Sequence, residues 1–260
     1  MLGYGMTDKP RAADEYSTKK LCADLAAILD VVGVSKAIVI GHDWGSYIAG
    51  RFALWHPDRL VALGIFSVPF TPPVKQYRSL EAIVEKTPNY TYQLYFADPK
   101  STEEIEANLE PFLRFVFGVD VVHIDAVLNM REAVVSDGLT REPRSSPLLT
   151  NEELQYVVSQ LRDMHGPLSY YRTTKIRFEE EQAAGLADRR LPVALPVLHI
   201  WGSRDPTATP ERLSWMREMI PEFEEINLPD TGHWIMVEAR DVVTEAVMRW
   251  LNKLKPKAGL

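Results

Sequence analysis

The 260-residue sequence contains one cysteine, Cys22, which excludes an internal disulfide and any zinc site built from several thiolates. It has no run approaching the roughly 18 consecutive apolar residues of a membrane-spanning helix. Its start, Met1-Leu2-Gly3-Tyr4-Gly5-Met6-Thr7-Asp8, has neither the basic head nor the apolar core of a secretory signal. Positive charge is in deficit. Against 36 Asp and Glu there are 29 Lys and Arg, a formal net charge of -7, which argues against an electrostatic grip on nucleic acid or an anionic membrane. Internal repeats, low-complexity tracts and long runs of one sign are missing too, so the charges read as ordinary solvated surface. The expectation is a soluble, cytoplasmic protein whose partners are neutral small molecules or proteins and whose oligomeric state is open. A 46% hydrophobic content over this length is enough to remove roughly 75% of the unfolded surface from water.

What is present is an alternation of amphipathic and fully apolar segments. Ser17 is a good N-cap for a helix with Leu21, Leu25, Ile28 and Val32 as one buried stripe and Gly33 as its stop. Ala37-Ile38-Val39-Ile40 then reads as a parallel strand covered on both faces. Gly41-His42-Asp43-Trp44-Gly45-Ser46 is a strand-to-helix turn, and Tyr47, Ile48, Phe52 and Trp55 continue in helical rhythm to His56-Pro57. A second buried run spans Leu60 to Phe66. From Pro72-Pro73 to about Leu191 the alternation gives way to a helical stretch holding seven of the ten tyrosines, with loops around Pro88, Pro99 and Arg141 to Pro147. Strand character returns at Val197 to Trp201 and Phe223 to Leu228, with a helix near Pro210 to Met219 between them. A last helix carries Val242, Val243, Val247, Trp250 and Leu251 on one side. The chain thus divides into a first core segment (1–72), an inserted helical cap (73–190) and a second core segment (191–260).

Gly41-x-Asp43-x-Gly45 has the glycine pattern of a nucleophile elbow, preceded by a strand and followed by a helix as that motif requires. The plainer reading is an aspartate capping a helix. A carboxylate at an elbow can displace a leaving group from saturated carbon and form an alkyl ester, which water must then cleave with the help of a base poised near neutral pH. Of the six histidines, His42 and His199 sit where packing explains them, and His56, His123 and His165 look like loop or helix-surface residues; none is spaced for a metal. His233, in Asp230-Thr231-Gly232-His233-Trp234, lies between the last strand and last helix, at the carboxyl edge of the sheet where such sites assemble. Asp205, just past the strand ending at Trp201, is the expected carboxylate partner, with Asp230 as its rival; Ser67-Val68-Pro69 offers no acid. The order Asp43, Asp205, His233 is the nucleophile, acid, histidine order of α/β-hydrolases.

At these residues the chain resembles the epoxide hydrolases of the α/β-hydrolase superfamily, over nearly its whole length. Gly3-Tyr4-Gly5 with Asp8-Lys9-Pro10, the elbow, and Gly232-His233-Trp234 are similar to family segments, as are Tyr92-Gln93-Leu94-Tyr95-Phe96 and Gly166-Pro167-Leu168-Ser169-Tyr170-Tyr171-Arg172 in the cap. The resemblance implies an α/β-hydrolase fold with a helical cap, no cofactor and no metal. It implies conversion of a small apolar epoxide and water to a vicinal diol: Asp43 as nucleophile, His233 as base, Asp205 as its charge partner, Tyr92 and Tyr171 activating the epoxide oxygen, and Trp44 donating to the oxyanion. A haloalkane dehalogenase would share the elbow, acid and base but has no use for two phenols; a non-catalytic binding protein on the same scaffold is the other alternative. Family members have further strands before the Gly3-Tyr4-Gly5 segment. Their absence here predicts an incomplete sheet, an exposed edge at residues 37–40, a tendency to aggregate and weak activity.

Overall fold

The computed structural model describes residues 1–118, 129–135 and 148–254. Ser17 accepts a hydrogen bond from the Lys20 N–H and starts helix α1 (Thr18–Val31). Strand β1 (Ala37–His42) leads into helix α2 (Trp44–Trp55), and strand β2 (Leu60–Phe66) follows. The chain then runs through short helices α3 (Leu80–Lys86), α4 (Tyr92–Ala97), α5 (Ser101–Ala107), α6 (Leu109–Val116), α7 (Met130–Val135), α8 (Asn151–Gln160), α9 (His165–Ser169) and α10 (Thr174–Ala183). It closes with strand β3 (Val197–Gly202), helix α11 (Pro210–Met219), strand β4 (Glu224–Leu228) and helices α12 (Ile235–Glu238) and α13 (Arg240–Leu254). His123 and the expected loop from Arg141 to Pro147 lie outside the described residues.

Among the described residues the four strands form one parallel sheet in the order β1-β2-β3-β4. Period-two alternation splits its apolar side chains between two faces. Leu63, Ile65 and Val197 pack with α1 and α2, while Ala62, Phe66, Leu198 and Ile200 pack with Val243, Ala246 and Trp250 of α13. A separate cluster of Tyr95, Phe96, Ile105, Phe112, Leu154 and Leu168 holds the helices between β2 and β3 together. Tyr171 packs against both that cluster and the sheet's.

Three expectations need correction. β1 is not covered on both faces: Ile38 and Ile40 are 36% and 40% exposed, because no described element lies over that side of the edge strand. The stripe of α1 is buried only in its first half. Leu21, Cys22 and Ala26 are covered by α2, whereas Ile28 and Val32 are exposed. On α13 Val242 faces solvent, and Ala246 completes the buried side with Val243 and Trp250.

The helices between β2 and β3 are locked to the sheet layer by a buried ion pair. Arg51 on α2 donates to Glu181 on α10 at 2.7 Å, with side-chain exposures of 3% and 7%. The Thr18 hydroxyl donates to the same Glu181 oxygen, and Arg51 also donates to the Tyr47 hydroxyl and the Thr71 carbonyl. Removing one partner leaves the other charge buried and unpaired, at a cost of about 3–5 kcal/mol. Glu181→Leu is therefore expected to lower stability by about that amount in urea unfolding, and adding Arg51→Met should recover most of the loss.

Candidate active site

The turn from β1 into α2 sets Asp43 at φ 54°, ψ -120°, a backbone region costly for a residue with a side chain. Its carboxylate makes no capping hydrogen bond to α2, so capping does not explain it. The turn closes because Gly41 has no Cβ: one there would collide with the Gly45 carbonyl. At Gly45 an added Cβ meets nothing within 4 Å, so of the two elbow glycines only the first is sterically demanded here.

From the last strand's carboxyl end the loop after β4 brings in His233. Its approach to β3 needs Gly202, where a Cβ would strike the carbonyls of Thr231 and Gly232. His233 Nδ1 lies 2.9 Å from Asp205 Oδ2, and Nε2 lies 3.4 Å from Asp43 Oδ1. The Asp205 side chain is fully buried, and its other oxygen accepts from the Thr207 N–H at 2.8 Å and the Thr207 hydroxyl at 2.7 Å. Asp230 instead has φ 56°, an 82% exposed side chain and a surface ion pair with Arg204. Asp43, His233 and Asp205 are thus brought into one line.

Burial opposes charge on His233, but the Asp205 and Asp43 carboxylates outweigh it and hold its pKa up at about 10. The same contacts overcome desolvation of both aspartates and hold their pKa values below the usual carboxylate range. The resting site is a cation between two anions.

Tyr92 lines the cavity that contains Asp43 and Trp44, whose volume is about 470 Å³; Tyr171 and His233 lie outside that lining. The Tyr92 and Tyr171 rings are 6.1 Å apart at 75°, and Tyr171 meets Trp44 edge-on at 5.2 Å. Burial, together with the Asp43 charge, keeps both phenols protonated well past the usual tyrosine range.

Several neighbours escaped the sequence. Ser67 donates to the His233 carbonyl at 2.7 Å, and the His42 ring lies 2.9 Å from the same oxygen and 4.7 Å from the His233 ring. His42 therefore does more than pack. Glu238 accepts from the N–H groups of Gly232 and Trp234, bracing the histidine loop on both sides of His233. Its position five residues after the histidine was the available signal. Tyr4 comes close enough for the Asp43 charge to add to burial in raising its phenol pKa.

With this geometry in view, residues 1–239 match the alpha/beta hydrolase fold family. The chain belongs to that family. Its relatives include the bifunctional epoxide hydrolase 2 of Rattus norvegicus, 29% identical over 259 residues covering 97% of this chain and 46% of the relative. Epoxide hydrolase A of Mycobacterium tuberculosis is 30% identical, with 97% and 80% covered. The crystal structure of epoxide hydrolase A from Mycobacterium thermoresistibile superposes with a TM-score of 0.85 at 29% identity, covering 98% of this chain and 81% of that one. The chain spans about half the length of the bifunctional relatives, 45–46%. No helix among the described residues is long and apolar enough to cross a membrane.

For this alpha/beta hydrolase the raised histidine pKa has a consequence for stability. A group with pKa about 10 when folded and roughly 6.5 when unfolded stabilises fully below pH 6.5, and that contribution is lost as pH rises through 10. Thermal melts of the wild type should therefore fall between pH 6.5 and 10 more steeply than those of His233→Gln.

Proposed function

We propose that this alpha/beta hydrolase converts an epoxide and water to a vicinal diol through an alkyl ester on Asp43. The observation that carries the reading is a carboxylate, not a hydroxyl, at a strained elbow, facing an imidazole backed by a buried acid, with two protonated phenols nearby. The helices of residues 73–190 act as the cap that supplies those phenols over a core formed by residues 1–72 and 191–260.

In the first step an Asp43 oxygen attacks an oxirane carbon, the carbon–oxygen bond breaks, and the electron pair leaves on the epoxide oxygen. A phenol of Tyr92 or Tyr171 gives that oxygen its proton, and the proton of His233 replaces it. Ester formation removes the Asp43 charge that had supported the imidazolium, so the imidazole loses its proton at the stage that requires a base. Neutral His233 then takes a proton from water as the water oxygen attacks the Asp43 carbonyl carbon. Collapse expels the second diol oxygen, which takes the other water proton, and Asp43 and His233 return charged. The Trp44 N–H is the proposed donor to the carbonyl oxygen, a contact typically worth about 10² to 10³ in rate.

His233→Gln is expected to alkylate and stall. After incubation with styrene oxide, intact-mass spectrometry should show one added substrate mass and peptide mapping should place it on the peptide containing Asp43, and an unmodified peptide with retained turnover would defeat the mechanism. Tyr92→Phe and Tyr171→Phe should each slow stopped-flow alkylation, and the double variant should lose about 10² to 10⁴. Faster chloride release from a chloroalkane than diol formation would instead favour a dehalogenase.

A further inference from the structure

Five cations line the cavity that contains Asp43; four of them, Arg78, Lys86, Arg177 and Arg212, form no ion pair among the described residues, and of these Arg177 and Arg212 sit over aromatic rings. Arg177 of α10 places its guanidinium carbon 5.2 Å from the Trp44 ring centroid and 5.1 Å from that of Tyr47. It makes one hydrogen bond, from Nη2 to the Thr174 hydroxyl at 3.3 Å, and its Nε is buried with no partner. Among the described residues it forms no ion pair, and Glu180, three residues further along α10, keeps one buried carboxylate oxygen without a hydrogen-bond partner. Arg212 of α11 lies 4.7 Å over the Tyr90 ring, also without an ion pair. The contrast is Arg51, which lines the same cavity but is paired with Glu181 and also donates to Tyr47 and Thr71.

A guanidinium has five donors in a planar fork matched to a carboxylate, so Arg177 keeps most of its capacity unused in a partly dry site. Stacking on Trp44 and Tyr47 holds it in the lining of the same cavity that contains Asp43. An anionic substrate approaching the Asp43 carboxylate would be repelled unless such a cation offset the field. We propose that the substrate is an epoxide carrying a carboxylate on a short chain, with Arg177 as the residue that binds the carboxylate and Arg212 adding to the positive field. This specificity rests on the epoxide-opening reading.

The test compares epoxypentanoate with its neutral amide, epoxypentanamide. The wild type should hydrolyse the acid with a kcat/KM about 10- to 100-fold above that of the amide, a margin that shrinks as salt is raised. Arg177→Gln should abolish the margin while leaving amide turnover nearly intact, and Arg177→Lys should restore part of it. Equal kcat/KM for acid and amide in the wild type, or an equal loss for both in Arg177→Gln, overturns the assignment but not the epoxide reading. Calorimetry with dihydroxypentanoate and its amide reads the cation without turnover. Selective binding of the acid, lost in Arg177→Gln, supports the anion site even if neither epoxide is consumed, in which case the reaction assignment fails alone; equal binding of acid and amide overturns the site.

Discussion

An imidazole held between two carboxylates is the interaction around which this molecule is arranged. Taking His233, Asp205 and Asp43 out of water is costly for each, and the arrangement persists because each charge faces its opposite at 2.9 and 3.4 Å. That geometry places demands in every direction. It needs a strained backbone at Asp43, a glycine at 41 so that the turn can close, and a glycine at 202 so that the histidine loop can lie against β3. Thr207 satisfies the remaining oxygen of Asp205, while Ser67, His42 and Glu238 fix the backbone around His233.

The second demand is a roof. Tyr92 comes from α4 and Tyr171 from the turn between α9 and α10, and both stand near Asp43 only because the helical segment is fastened to the sheet layer. The fastening is the Arg51–Glu181 pair on one side and, on the other, the Trp234 indole donating to the Val116 carbonyl at 2.8 Å. Because α10 carries both Glu181 and Arg177, the helix that ties the helical segment to the sheet layer also faces the cavity with a guanidinium that forms no ion pair among the described residues. Fastening and the proposed selectivity thus meet on one helix.

Much of this was legible before any coordinates. The run Leu60 to Phe66 is β2, Pro210 to Met219 is α11, and Ser17 caps α1, since fully buried strands and capped helices write their limits into local composition. The elbow was readable because a tight strand-to-helix turn demands a small residue at Gly41. The outer half of α1 and the open face of β1 were not: apolar content predicts burial only when something lies opposite, and that is a property of the assembled sheet.

The sequence by itself determined the candidates for the proposed chemistry, because an aspartate on that elbow, a histidine at a late strand end and an acid past the strand before it have the reactivity that chemistry requires. The tertiary structure alone decided how those groups are charged and steered. The pKa of His233, the choice of Asp205 over Asp230, the second role of His42 and the unneutralised state of Arg177 all depend on distances of a few ångströms between residues far apart in the chain, and electrostatic energies in a partly dry site are set by those distances.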